Sequence, residues 1–210
     1  DELGLDGTMQ YGTMLLNAAT GYRAAGKYQE AETLYGQAYE IYRRYITGPD
    51  YHMASLHNNL SLLYSETGRL KEAKRELERA MEIVRKLDDA DVEVAITHTN
   101  LGNLCFQMNE TAEGKAHMEQ AVRIFEKMPD GKDSHYASAL SGLGEAYFHE
   151  GNLEASQECY QKALDEIFRF YGENEYYQVT KRNLEIVSDL LRRRQAAEKS
   201  QMKGLELAKA

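Results

Sequence analysis

Residues Asn58–Ala73 read NNLSLLYSETGRLKEA. The run has the form of one helix, a stop at Gly68, and the start of a second helix. Glycine fits such a stop because it enters the left-handed conformation of a helix C-terminus without steric cost. The same sentence recurs along the chain, and aligning the copies decides the fold.

Gly26, Gly68, Asn109 and Gly151 each separate two helix-like segments, at spacings of 42, 41 and 42 residues. Five residues after each stands a small residue: Ala31, Ala73, Gly114, Ser156. Nine after each stands a large one (Tyr35, Leu77, Met118, Tyr160), and twelve after each stands alanine (Ala38, Ala80, Ala121, Ala163). Ahead of the turn, Tyr22, Tyr64, Cys105 and Tyr147 share one column, and Ala18, Leu60, Leu101 and Leu143 share another. Small residues let two helix backbones approach; large apolar ones fill the space left by the next helix. Asn109 is the non-glycine residue that best tolerates the left-handed conformation, so the one exceptional copy supports the alignment. Asp50, Ser134 and Asn174 are expected N-caps, because their side chains accept from free backbone donors. Pro49 and Pro129 fall in the loops between repeats.

Composition sets the outer limits. The chain has 210 residues, 42% apolar and 28% charged, which suits a soluble globular protein or a short solenoid. Only two prolines interrupt it, which favours long helices. A formal charge of −9 argues against nucleic acid as a partner, since phosphate backbones are held by clustered Lys and Arg. The basic run Arg192-Arg193-Arg194 reads as a solvated helix end. Cys105 and Cys159 lack the spacing of a zinc site or redox pair and read as buried thiols in a reducing, cytoplasmic setting. No 18-residue apolar run exists, so no transmembrane helix and no membrane partner are expected.

The pattern resembles the tetratricopeptide repeat: small-Gly at Gly102 and Gly144, Tyr64 and Tyr147 before the turn, Ala73 and Ala80 after it. The usual repeat is about 34 residues, and the extra length adds about one turn to each helix. Long repeats of this form, as in NNLSLLYSETGRLKEAKRELERAMEIV, resemble those of the kinesin light chain. The resemblance implies an all-α fold, a right-handed superhelix (solenoid) of antiparallel helix pairs. The repeats are expected at about 12–53, 54–94, 95–136 and 137–178, with a capping helix at 179–194. Lys181, Arg182, Glu185 and Asp189 give that cap a polar outer face. Residues 195–210 are expected as a helical extension or a linker to a further domain, and MKGLELAKA weakly resembles the opening of a nucleotidyltransferase-like domain.

In this family the first helices line a concave groove. The resemblance therefore places Asn17, Asn59 and Asn100, nine residues before the turn, on its inner face, with Asn183 continuing the column. An amide offers both donor and acceptor and can grip any peptide unit; the competing reading is that these residues bond to the next helix and fix the stack. Thr20, Leu62, Asn103 and Glu145 follow one turn on, then Arg23, Ser65, Phe106 and Phe148. Phe106 and Phe148 read equally as groove or core. Chaperone-binding relatives clamp a C-terminal carboxylate with basic residues, and the matching positions here are Leu16, Thr20, Ile96 and Asn100, so a chaperone tail is not expected.

No catalytic constellation emerges. His57 and His98 share a column that packs inside the repeat. Asp88-Asp89-Ala90-Asp91 lacks the glycine and distal glutamate of a calcium loop and reads as solvated acids. Glu72 and Glu76 with Arg75 and Arg79 read as a solvated helix face. Eight of the fifteen tyrosines precede residue 52; Tyr35 and Tyr39 read as core, and the rest of the patch as a candidate self-association surface. The sequence thus predicts a protein-interaction module that binds an extended peptide or partner segment, with no cofactor, metal or enzymatic activity. The alternative is the regulatory or scaffolding part of a larger bacterial enzyme.

Overall fold

The turn residues adopt the backbone their identities favour. φ is 73° at Gly26, 76° at Gly68, 61° at Asn109 and 76° at Gly151. Each turn is closed by the same two bonds. The residue after the turn donates its N–H to the carbonyl five residues back (Lys27 to Tyr22 2.9 Å, Arg69 to Tyr64 2.7 Å, Glu110 to Cys105 2.8 Å, Asn152 to Tyr147 2.9 Å). The turn residue itself donates three residues back, as Gly68 does to Ser65 at 3.1 Å. This is a Schellman motif, which satisfies the last carbonyls of the first helix and fixes the exit direction of the chain.

The computed structural model describes residues 7–128 and 134–207, with side chains to residue 202. Pro129 and the last three residues of the extension lie outside the described residues. Among the described residues the chain forms nine helices and no strand: α1 (Met9–Ala24), α2 (Tyr28–Tyr45), α3 (Tyr51–Glu66), α4 (Leu70–Val84), α5 (Asp91–Gln107), α6 (Thr111–Lys127), α7 (Ser134–His149), α8 (Leu153–Tyr171) and α9 (Glu175–Leu207). First helices start three or four residues before each expected repeat boundary. Asp50 and Asn174 cap as expected: His52 N donates to Asp50 Oδ1 at 2.7 Å and Tyr177 N to Asn174 Oδ1 at 2.9 Å. Ser134 is the first residue of α7. The chain divides into two compact units after Gly114, within α6.

Within the first unit, each second helix packs between its own first helix and the next one. Ala31, Tyr35, Ala38 and Tyr42 of α2 bury against Leu15, Leu16 and Ala19 of α1 and against Leu56 and Leu63 of α3. Ala73, Leu77, Met81 and Val84 of α4 repeat this against α3 and against Leu101 and Leu104 of α5. In the second unit, Tyr160 of α8 buries against Val187 and Leu191 of α9, and the rings of Phe125 and Tyr136 lie 5.7 Å apart. The small column is fully buried, and it is small for a reason. A Cβ on Gly114 would stand 2.6 Å from the Phe106 ring and 3.1 Å from Gly102 O. Ser156 uses its hydroxyl there to donate to Gly144 O at 2.7 Å.

Three expectations are corrected. Tyr35 is buried, but Tyr39, one turn on, is exposed, because four residues advance about 40° around a helix and carry the ring past the edge of α3. Arg192–Arg194 do not end a helix. Counting from Asn183, the turn of a fifth copy falls at Arg192, which has no tolerance for positive φ, and α9 runs on for 33 residues in all. The run is ion-paired along its length, Arg192 and Arg193 sharing Asp189 and Arg194 meeting Glu154. Glu76 is not solvated; it is buried against His57.

Neighbouring repeats are tied by side chains six residues beyond each turn. Glu32 meets Arg69 of the next repeat at 2.8 Å. Lys74 meets Glu110 at 2.9 Å, the same rung with its polarity reversed. In the second unit Lys115 meets Glu150 at 2.6 Å and Gln157 Nε2 donates to Ser188 Oγ at 2.8 Å. The carboxylate partners hold the lysine pKa values above their ordinary range.

Gly114→Ala is expected to lower the unfolding free energy by about 1–3 kcal/mol through forced displacement of Phe106. Urea denaturation followed by circular dichroism measures it, and an unchanged midpoint would remove close helix approach as the reason for the small column.

Candidate functional site

The exposed face of the first helices in the first unit carries most of the residues singled out from the sequence. Asn17 on α1 and Asn103 on α5 are exposed amides with no hydrogen bond to another described residue. Leu62 on α3 is half-buried. Asn59 is half-buried and partly engaged: its Nδ2 donates to Ser55 O at 2.9 Å, and its Oδ1 lies 3.4 Å from Thr20 Oγ1. Thr20 in turn lies 3.2 Å from Tyr35 Oη and bonds Leu16 O at 3.0 Å.

The remaining members do different work. Asn100 is buried, and its Nδ2 donates to Asn58 Oδ1 of the preceding first helix at 3.0 Å. Asn58 also donates to Thr97 Oγ1 at 3.1 Å. That pair holds α3 to α5. Arg23 is ion-paired with Glu66 of the next first helix. Ser65, another groove position, donates to Gln107 Oε1 at 2.7 Å. Phe106 is half-buried over Gly114. Glu145 stands exposed in the second unit, 3.9 Å from His149. There Asn183 hydrogen-bonds Tyr160, whose hydroxyl burial pushes up to about 12.

Two members of the Asn column are therefore tied to second-helix tyrosines, Asn59 through Thr20 to Tyr35 and Asn183 directly to Tyr160. Where Leu77 replaces the tyrosine, the amide of Asn100 turns to Asn58 instead. Asn17 and Asn103 are uncharged and exposed, and Arg23 and Glu66 are paired with one another between neighbouring first helices.

His57 Nδ1 and Glu76 Oε2 lie 2.6 Å apart with both side chains buried, and Arg79 Nη1 lies 2.7 Å from Glu76 Oε1. Sequence reasoning placed His57 inside the repeat but missed Glu76 as its partner. The available signal was a histidine in the first helix facing an acid three residues after the small column. His98 is also buried. In the acidic loop, Asp88 uses its backbone carbonyl to accept from Tyr51 Oη at 2.7 Å, and Asp89 takes φ 55°. Tyr22, Tyr28, Tyr45 and Tyr51 of the tyrosine-rich region are exposed. Both cysteines are free and buried, and burial pushes each thiol up to about 11. Among the described residues no helix is long and apolar enough to cross a membrane.

Sequence models of the tetratricopeptide repeat match residues 10–86, 52–127 and 137–166. Among curated proteins no sequence matches the chain. Similar solved structures include BtubC (BKLC) from P. vanneervenii, at TM-score 0.69 and 21% identity over 90% of this chain and 77% of that one. A putative kinesin light chain from Podosopora anserina, with nearly identical TPR-like repeats, superposes at TM-score 0.68 with 18% identity over 91% of each chain. PilF of Pseudomonas aeruginosa superposes at 0.66 with 16% identity, covering 91% of this chain and 73% of its own.

Two measurements check these assignments. Asn100→Ala leaves Asn58 without its donor and is expected to cost about 1–3 kcal/mol, whereas Asn17→Ala stays within about 0.5 kcal/mol; equal shifts in a denaturant titration would contradict the assigned roles. With thiol pKa values of about 11, only about one thiol in a thousand is ionised at pH 8. Ellman's reagent is therefore expected to label the native protein slowly and both cysteines quickly in denaturant; rapid native labelling at pH 8 would contradict the buried, protonated state.

Proposed function

The chain belongs to the tetratricopeptide repeat family, and we propose that it holds an extended partner segment against the exposed face of its first helices. Tetratricopeptide repeats in general mediate protein–protein interaction and act as non-catalytic scaffolds. The observation that supports a peptide-binding face is the pair of unengaged amides, Asn17 and Asn103, with Asn59 and Leu62 on the first helix between them. A free carboxamide matches the donor–acceptor pair of a peptide unit and does not read its side chain. Leu62 offers one apolar contact to set register.

In this reading Asn17, Asn59, Leu62 and Asn103 touch the partner. Thr20, Arg23 and Asn100 position the helices that carry them, and Phe106 packs beneath. Glu145 belongs to the second unit and is left out of this face. Because the four residues that touch the partner are uncharged, recognition depends on backbone hydrogen bonds and apolar contact, and binding is weakly dependent on salt. The second reading, a regulatory part of a larger enzyme, gains no support from the comparisons.

The test is selection of displayed peptides on the intact chain, followed by calorimetry with the selected sequence. Asn17→Ala/Asn103→Ala, which loses roughly one or two net hydrogen bonds, and Leu62→Glu, which replaces an apolar contact with a charge, are each expected to weaken binding by at least about tenfold, at an unchanged unfolding midpoint. Unaltered affinity in both variants, or affinity that falls steeply between low and high salt, would overturn the proposal.

A further inference from the structure

Gly36 lies in the middle of α2, where glycine costs about 1 kcal/mol relative to alanine. No packing demand explains it, since a Cβ built there meets nothing within 4 Å. The other three copies carry Glu78, Glu119 and Gln161 at this position. The missing side chain leaves open a cleft of about 310 Å³ between α2, α3 and α4. That is at the lower end for small-molecule pockets, room for one side chain rather than a cofactor.

The cleft has a polar floor and aromatic walls. His57 and Glu76 form the floor, 2.6 Å apart. Tyr39 and Tyr64 form the walls; Tyr39 is 39% exposed, with its ring centroid 6.2 Å from that of His57. Glu32 and Arg79 stand at the rim.

The chain itself displays what this lining binds. The guanidinium of Arg69 lies 4.1 Å from the centroid of the Tyr64 ring, with Nη1 2.8 Å from Glu32 Oε1 and Nη2 2.6 Å from Glu72 Oε1. One aromatic wall is thus already stacked on a cation that pairs with the adjacent carboxylates. The opposite wall, Tyr39, carries none. Glu76 has one oxygen on His57 and the other on Arg79, and Glu32 has Oε1 on Arg69, so Glu32 Oε2 is the carboxylate oxygen of the lining that no described side chain engages.

We propose that this cleft is a second binding site, which takes an arginine side chain of a partner protein against Tyr39, with its guanidinium directed at Glu32 Oε2. Arginine fits better than lysine because its planar, weakly hydrated guanidinium both stacks on a ring and forks to a carboxylate. The site shares no residue with the first-helix face, so either proposal can fail alone.

The probe is N-acetyl-arginine methylamide, titrated into the ¹⁵N-labelled intact chain and followed by amide shifts of residues lining the cleft. The neutral isostere N-acetyl-citrulline methylamide is run beside it. Saturable shifts at Gly36, Tyr39 and His57 are expected with the arginine probe, and at least tenfold weaker binding with citrulline. Gly36→Leu fills the cleft and replaces a poor helix former, so it is expected to raise the unfolding midpoint while abolishing the shifts. Tyr39→Leu, which keeps the cleft but removes the open ring, is expected to weaken the probe at least tenfold. Equal binding of the two probes, or arginine binding retained in both variants, would overturn the proposal.

Discussion

Everything in this chain depends on two helices passing close to one another in each repeat. The Schellman turn sets the exit direction, and the residues five after and seven before the turn then meet face to face. Ala19 with Ala31, Ser61 with Ala73, Gly102 with Gly114, and Gly144 with Ser156 are all small. Where the approach is tightest, a methyl group has no room: a Cβ on Gly114 would stand 2.6 Å from the Phe106 ring and 3.1 Å from Gly102 O. The large residue nine after the turn follows from this. Once the backbones are close, Tyr35, Leu77, Met118 or Tyr160 projects beyond the pair and becomes core against the following first helix. A repeat of this kind buries little alone and gains its stability from its neighbour.

Polar side chains set the order of the repeats more than their strength. Exposed ion pairs contribute about 0–1 kcal/mol each, so the rungs at Glu32–Arg69 and Lys74–Glu110 add little to the core. Their reversed polarity is the informative feature. A slip that set Glu32 beside Glu110, or Lys74 beside Arg69, would place like charges together. The amide pair Asn58–Asn100 and the Thr20–Asn59 contact make similar ties between first helices.

The helices and turns were legible because they depend on local identity: a residue that accepts positive φ, small residues at fixed offsets, N-caps at Asp50 and Asn174. The binding face was legible only in part. Spacing tells which way a side chain points, not what waits there. Asn17, Asn59 and Asn100 share a column, yet only Asn100 finds Asn58 within reach and is buried. Glu76 reads as one acid in a charged helix until His57 of the paired helix is set beside it. Tyr39 and Tyr35 differ by one turn, and the position of the next helix's edge decides which ring is core. The length of α9 was hidden for a simpler reason: Arg192 stands where a turn residue was needed, and its neighbours Asp189 and Glu198 supply helical pairs that carry the helix onward.

Glycine separates structure from function in this chain. Gly12, Gly114 and Gly144 each have a ring atom within 3.1 Å of where a Cβ would be, so any other residue there would displace a neighbouring ring. Gly26, Gly68 and Gly151 have positive φ, which strains side chains other than the asparagine that the third turn uses at Asn109. Gly36 satisfies neither condition, and nor does Gly21 of α1, but Gly36 lines the cleft between α2, α3 and α4. It sits in regular helix with open space where its side chain would lie, and it lowers the stability of α2 without a structural return. Residues that lower stability in this way concentrate where a protein contacts something else. Beside Gly36 lie a buried His–Glu pair, an uncovered tyrosine and a Glu32 carboxylate with one oxygen unengaged, so the space it leaves is chemically selective rather than merely empty.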